Sequence, residues 1–242
     1  MNANISVIIP CYNEESAILS TLDQTDQFLK AHFADYEIIV VDDGSGDNTK
    51  AMVEKLSQGN PEIKLLSHGK NMGKGASVKK GVMAARYDLI LFSDADLSTP
   101  IEEIEKFIPH FQKGIAVCIG SRALRESELI KRQGFLRQNM GKTFNLILQA
   151  LLFRGINDTQ CGFKCFTREA ALKIFSRQRL PGYCFDAEVL FIARRLGLSV
   201  QEIPVRWINR SHSRVHIFRD SIRMFFDILR IRFNAWRGLY EV

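Results

Sequence analysis

The sequence predicts an α/β protein, a mostly parallel sheet flanked by helices. Short runs rich in Val and Ile, at residues 5–10, 37–41, 63–66, 89–92 and 115–119, read as strands buried on both faces. Segments with helical spacing, at 16–33, 47–56, 74–86 and 101–111, fill the intervals between them. Polar residues gather just after the strands, where open α/β sheets bind their ligands.

Taken in order, the first strand (ISVIIP) runs into Pro10-Cys11-Tyr12-Asn13-Glu14, and the second into Asp42-Asp43-Gly44-Ser45. The fourth ends in Asp94-Ala95-Asp96 and the fifth in Gly120-Ser121-Arg122, so these groups converge on one rim. A basic helical stretch is expected from 123 to 153, then the segment Asp158-Thr159-Gln160-Cys161-Gly162-Phe163-Lys164, read as a positioning loop or as a loop packed on the core through Phe163 and Phe166. Helices near 168–175 and 185–196 and a strand at 200–207 follow. From 217 to 239, Phe218, Phe225, Phe226, Phe233 and Trp236 alternate with Arg219, Arg223, Arg230, Arg232 and Arg237 in an amphipathic helical pattern. Such a helix suits an anionic bilayer surface, or it docks on the domain or on a second copy of the chain.

At 242 residues the chain can bury one large core, and 46% hydrophobic with 25% charged residues excludes disorder. The net charge of +6 calls for an anionic partner. From Val200 onward eight Arg stand against four acidic residues, so the charge concentrates near the C-terminus. Five cysteines, an odd number, and a start without a signal-peptide pattern set the expectation of a reduced, cytosolic setting. Cys161 and Cys165 have no matching pair at zinc spacing and read as buried thiols. No run reaches the roughly 18 apolar residues of a membrane span.

In an extended segment residues i and i+2 point the same way, so Asp94 and Asp96 can both face one hard divalent cation, Mg²⁺ or Mn²⁺, and bridge it to a diphosphate. The same residues also suit a solvated turn leading into the helix at Ile101. A second acidic pair, Asp42-Asp43, favours the site: carboxylates disfavour a pyrophosphate, and Asp43 suits a base or ribose beside Tyr12.

In order and spacing, VIIPCYNEE (7–15), VVDDGSGDNT (40–49), NMGKGASVKKG (71–81) and SDADLSTP (93–100) resemble the family 2 glycosyltransferases with the Rossmann-like GT-A fold. GSR (120–122), DTQCGFKCF (158–166), FDAEVLFIARRLG (185–197) and EIPVRW (202–207) narrow the likeness to polyprenyl-phosphate hexosyltransferases, dolichyl-phosphate β-glucosyltransferases before dolichol-phosphate mannose synthases. The resemblance covers residues 5 to about 215. It implies a GT-A domain over 1–215, with a nucleotide-sugar half at about 1–122 and an acceptor half at about 123–215, followed by an amphipathic basic helix at 216–242. It implies that Pro10, Tyr12, Glu14, Val41 and Asp43 hold the nucleoside and that Asp94 and Asp96, with Ala95 and Ser98, serve the metal and diphosphate. Arg122 and Arg137 then face the reacting phosphates, and Arg206 and Arg214 are further nucleotide-sugar contacts. A serine often found four residues after the second phosphate Arg is Gly141 here.

The implied reaction is inverting transfer of a hexose, glucose from UDP-glucose by preference, to a polyprenyl or dolichyl phosphate by a protein lying on the cytoplasmic face of a membrane, with no nucleic-acid partner. A lipid phosphate is largely dianionic at neutral pH and attacks without a base. Asp186 and Glu188 stand where hydroxyl-using relatives keep a base, or serve as N-terminal helix charges; Gln160 and Lys164 are candidates for positioning sugar or diphosphate. GDP-mannose as donor and a hydroxyl acceptor remain alternatives. A DxDxT/S phosphohydrolase would carry its motif after the first strand, whereas three strands precede it here. A basic binding scaffold would leave both carboxylate pairs without purpose.

Overall fold

The computed structural model describes residues 3–130, 145–152, 155–209 and 217–241, with backbone alone for 217–222. The strands are β1 (Ile5–Cys11), β2 (Tyr36–Asp42), β3 (Ile63–Ser67), β4 (Leu89–Ser93), β5 (Val117–Ser121), β6 (Glu128–Ile130), β7 (Phe163–Thr167), β8 (Val200–Pro204) and β9 (Arg206–Ile208). The helices are α1 (Ile18–His32), α2 (Thr49–Gly59), α3 (Lys74–Ala84), α4 (Ile108–Gln112), α5 (145–151), α6 (Arg168–Arg177), α7 (Phe185–Arg195) and α8 (Ile217–Trp236), with a 3₁₀ turn at Ile101–Lys106.

Seven strands form one sheet in the order β3-β2-β1-β4-β7-β5-β8, parallel except for β7, which runs antiparallel to both β4 and β5. Both faces are covered, because side chains alternate across the pleat. Ile8, Ile39, Ile90, Phe92, Ile119 and Phe166 meet α3, α6 and α7 on one face. Val7, Ile9, Val40, Leu91, Cys118 and Phe163 meet α1, α2 and the 3₁₀ turn on the other.

Four local expectations are corrected. Residues 163–167 form a central strand, not a loop: Phe163 and Phe166, three apart, bury on opposite faces as a strand requires. Within the stretch expected to be helical from 123, residues 128–130 form β6, which pairs with β9 in a separate two-stranded ribbon. The single strand expected at 200–207 is two, broken at Val205, so that β8 closes the main sheet and β9 turns away from it. The expected helix at 101–111 is likewise a 3₁₀ turn and a short α-helix, separated at Phe107. All five cysteines are free and buried; burial pushes the Cys11 and Cys118 thiols up to about 12. One face of α8 joins the core through Ile228, Ile231 and Ala235.

Candidate active site at the carboxyl ends of the strands

The loops after β1 and β2 are bound to each other. The Asn13 N–H donates to Ser45 Oγ (2.8 Å) and the Gly46 N–H to Asn13 Oδ1 (2.7 Å), while the Glu14 N–H donates to Thr49 Oγ1 (2.7 Å). Asn13 sits at φ +52°, a left-handed conformation that Asn tolerates better than most residues. Pro10 and Val41 are buried partners across β1 and β2, and Tyr12 is exposed at the rim.

Both residues of the first acidic pair are buried and hydrogen-bonded to their own surroundings. Asp42 accepts from Ser67 Oγ (3.0 Å) and from the Gly44 and Ser45 amides. Asp43 accepts the Met72 and Gly73 amides, one on each oxygen, both at 2.8 Å. It thereby fixes the entry to α3, where Gly73 adopts φ +100° with the Pro181 carbonyl so near that a Cβ would lie 2.4 Å from it. An open depression of about 410 Å³ lies beside this pair, lined by Asp42, Gly44, Ser45, Lys50, Ser67, His68 and Gly69.

The second pair closes β4. Asp94 Oδ1 meets Lys74 Nζ at 2.5 Å, and its other oxygen lies over the Gly162 backbone, where a Cβ would be 2.0 Å away. A larger residue there would have to push the Asp94 carboxylate aside. Asp96 turns back into its own loop, accepting the Ser98 N–H (2.9 Å) and Ser98 Oγ–H (2.8 Å), with Leu97 at φ +47°. The Ala95 carbonyl accepts from Thr21 Oγ1 (2.6 Å) and the Ser98 carbonyl from the Ile208 N–H (2.7 Å), so α1 and β9 hold the loop from two sides. Burial pulls the Lys74 pKa down, yet Asp94 and Asp186 outweigh it and hold the ammonium above its usual value.

Opposite, Arg122 forms a two-pronged pair with Asp158, Nε to Oδ2 at 2.7 Å and Nη2 to Oδ1 at 2.9 Å, its guanidinium 5.5 Å from the Trp207 ring centre. Burial opposes both charges, but each is the other's remedy: the Arg122 pKa is raised and that of Asp158 lowered. Asp94 is among the charges acting on Arg122, which places the two within electrostatic reach. The Gln160 N–H also bonds Asp158 (3.1 Å).

Lys164 is fully buried, donating to the Cys161 carbonyl (2.6 Å) and to Asp186. Burial pushes the Asp186 carboxyl above its ordinary range, against the pull of Lys164 and Lys74. Asp186 thus pairs with Lys164, whereas Glu188 does not. Two residues along a helix are about 200° apart, and Glu188 faces the other way, accepting the Leu180 N–H (2.8 Å) and the Tyr240 hydroxyl (2.6 Å). Arg206 lies behind the Asp94 loop, its N–H on Glu103 Oε2 (3.1 Å) and its guanidinium 4.0 Å from Glu102. Arg137, Gly141 and Arg214 lie outside the described residues, as does the side chain of Arg219.

The donor chemistry suits a hard divalent ion. Asp94 and Asp96 offer carboxylate oxygens, and a lysine ammonium already stands against Asp94 as a cation does. Among the described residues no group of three or more His, Cys, Asp or Glu forms a cage. Lys74, Asp158 and Gly162 had no assigned role in the sequence reading; each lies inside a quoted motif, but its partner is 20 to 68 positions away.

The family described as Glycosyl transferase family 2 matches residues 6–175. A dolichyl-phosphate beta-glucosyltransferase of Dictyostelium discoideum is 36% identical over 253 residues, covering 100% of this chain and 77% of that protein. The Homo sapiens and Saccharomyces cerevisiae proteins of the same name are each 35% identical, over 96% and 98% of this chain and 77% and 76% of their own length. Among solved structures, glucosyl-3-phosphoglycerate synthase from Mycobacterium tuberculosis, in complex with Mn²⁺, UDP and glucosyl-3-phosphoglycerate, superposes with TM-score 0.67 at 20% identity, over 93% of this chain and 80% of that one. Mannosyl-3-phosphoglycerate synthase from Rubrobacter xylanophilus gives TM-score 0.69 at 19% identity, over 98% and 75%. These two share the fold.

Proposed function

The chain belongs to the family 2 glycosyltransferases, and from that premise we propose that it moves glucose from UDP-glucose to a polyprenyl phosphate of the dolichyl type, with inversion at the anomeric carbon. The observation that carries this reading is similarity along essentially the whole chain to dolichyl-phosphate beta-glucosyltransferases.

Asp94 and Asp96 would hold Mg²⁺ or Mn²⁺, which when bound supplies Lewis-acid neutralisation of the leaving diphosphate. The chain's own groups account for the rest. Ser98 fixes the Asp96 carboxylate, and the stitched loops after β1 and β2 form a rigid wall for the nucleoside, with Pro10, Tyr12, Glu14, Val41 and Asp43 along it. Asp158 occupies one edge of the Arg122 guanidinium and aims the remaining N–H groups. A phosphate acceptor pairs with those groups, which offset the repulsion between two phosphorylated substrates. Arg137 and Arg214 are assigned to the same anionic substrates. The acceptor is already largely dianionic at neutral pH, so the reaction needs no general base. That agrees with an Asp186 engaged by Lys164 and a Glu188 engaged by Tyr240.

No helix among the described residues is long and apolar enough to cross a membrane. A bilayer would be met through α8: while Ile228 and Ile231 pack on the domain, Phe226, Leu229, Phe233 and Trp236 form an outward stripe at helical spacing, with Trp236 83% exposed. Arg230 and Arg237 flank it, the composition of an interfacial helix on anionic lipid at a cytoplasmic membrane face.

The test supplies labelled UDP-glucose or GDP-mannose, Mg²⁺ or Mn²⁺, and detergent-dispersed polyprenyl phosphate, and follows label into the organic phase. Glucose alone should transfer. Label from GDP-mannose only would reverse the donor assignment, and label from neither would overturn the class. Separately, Phe226→Glu with Trp236→Glu should lower sedimentation with phosphatidylserine vesicles about tenfold; unchanged sedimentation removes the membrane role from α8, and a shift from dimer to monomer assigns the stripe to a second copy.

A further inference from the structure

Lys74 and a divalent cation have one place to stand. The ammonium sits 2.5 Å from Asp94 Oδ1, with the lysine side chain only 21% exposed. The Asp94 carboxylate lies in the space that a side chain at residue 162 would fill, which glycine leaves open. The lysine backbone cannot shift freely, since Asp43 pins the Gly73 amide at 2.8 Å and the Pro181 carbonyl abuts Gly73. What can move is the flexible side chain of Lys74.

We propose that Lys74 is a resident counter-cation that must leave Asp94 before a metal ion can enter. The consequence is an ordered coupling. A lone divalent ion has to displace an ammonium that is already well placed, so it binds weakly. An ion arriving with a nucleoside diphosphate brings negative charge that offsets the exchange, so it binds well. Lys74 thereby ties metal entry to donor binding. This inference rests on the assignment of Asp94 and Asp96 as the metal carboxylates, and it concerns what the chain itself does before any chemistry.

The experiment titrates the full chain with Mn²⁺ alone, followed by electron paramagnetic resonance of the free ion, and repeats the titration with UDP present. Lys74→Met should bind Mn²⁺ alone roughly fivefold more tightly than the unaltered protein, the upper scale of losing one partly exposed ion pair. Lys74→Arg, which keeps the charge, should not. The factor by which UDP strengthens Mn²⁺ binding should shrink in Lys74→Met, and Mn²⁺ should strengthen UDP binding by the same reduced factor. Lys74→Gln repeats the test should the Met variant fold poorly, with thermal melting to check each protein. Mn²⁺ affinity unchanged or weaker in a folded Lys74→Met or Lys74→Gln protein overturns the proposal. Asp96→Asn separates the two ideas: if it abolishes Mn²⁺ binding while the Lys74 variants change nothing, the gate fails and the metal site stands; if Asp96→Asn leaves binding intact, the metal assignment itself fails.

Discussion

The acidic pairs that close β2 and β4 look alike in sequence, and both sit beside β1 at the same end of the sheet. Their surroundings separate them. The carboxylates of Asp42 and Asp43 are bonded to five donors of the protein itself, four of them backbone amides. Asp94 and Asp96 are bonded to a lysine and to one serine. A carboxylate on backbone amides is fixed with the chain and acts as scaffold; one on a flexible lysine can change partners. On the proposed function, the first pair builds the rim and the second acts on what binds there.

The largest effect that sharpens this contrast is expected from Asp96→Asn. Its amide oxygen can still accept from Ser98, so the melting midpoint should stay near that of the parent, while glucosyl transfer falls about 10²-fold or more. A variant that transfers at the parent rate would place Asp96 with the scaffold. Next comes Arg122→Lys, which keeps a positive charge but cannot reproduce the two-pronged pair with Asp158. Roughly tenfold loss in kcat/KM for the acceptor is expected, with a smaller change for the donor, read from initial rates at varied concentrations of each.

Asp43→Asn should cost stability that Asp96→Asn does not. It sets an amide NH₂ against one of two part-buried backbone N–H groups, at a cost of about 1 kcal/mol and a fall of a few degrees in the thermal midpoint. Melting at the parent temperature would dissolve the distinction between the pairs. The smallest effect is a pH slope. Burial raises the Glu37 carboxyl pKa, but Lys64, Ser6 and the Arg86 N–H outweigh it and leave it below the usual value; Asp158 is lowered in the same sense by Arg122. A carboxylate lowered on folding adds stability above its unfolded pKa and loses it as pH falls through the folded one. Denaturant midpoints should therefore drop as pH is taken from about 6 to about 3, with a shallower slope in Glu37→Gln than in the parent.

Glu188 shows where sequence reasoning ran out. It shares a helical turn with Asp186, and from spacing alone the two are equivalent candidates. The fold decides between them through Tyr240, 52 positions away, and the amides of Arg179 and Leu180. β7 is a similar case. The run from Phe163 to Thr167 is too short, and too close to a motif rich in polar residues, to announce itself as a strand. It becomes one because β4 and β5 leave a gap between them whose backbone groups need partners.

By itself the sequence determined the alternation of strand and helix, the convergence of Tyr12, Asp43, Asp94, Asp96 and Arg122 at one end of a parallel sheet, and the family. Periodicity and strand-end chemistry are local, and local patterns survive in one dimension. Tertiary structure alone decided which donors each carboxylate meets, that Lys74 pairs with Asp94, that Asp158 grips Arg122, and that the Asp94 carboxylate lies against Gly162. Those facts are distances between residues far apart in the chain, and only packing sets them.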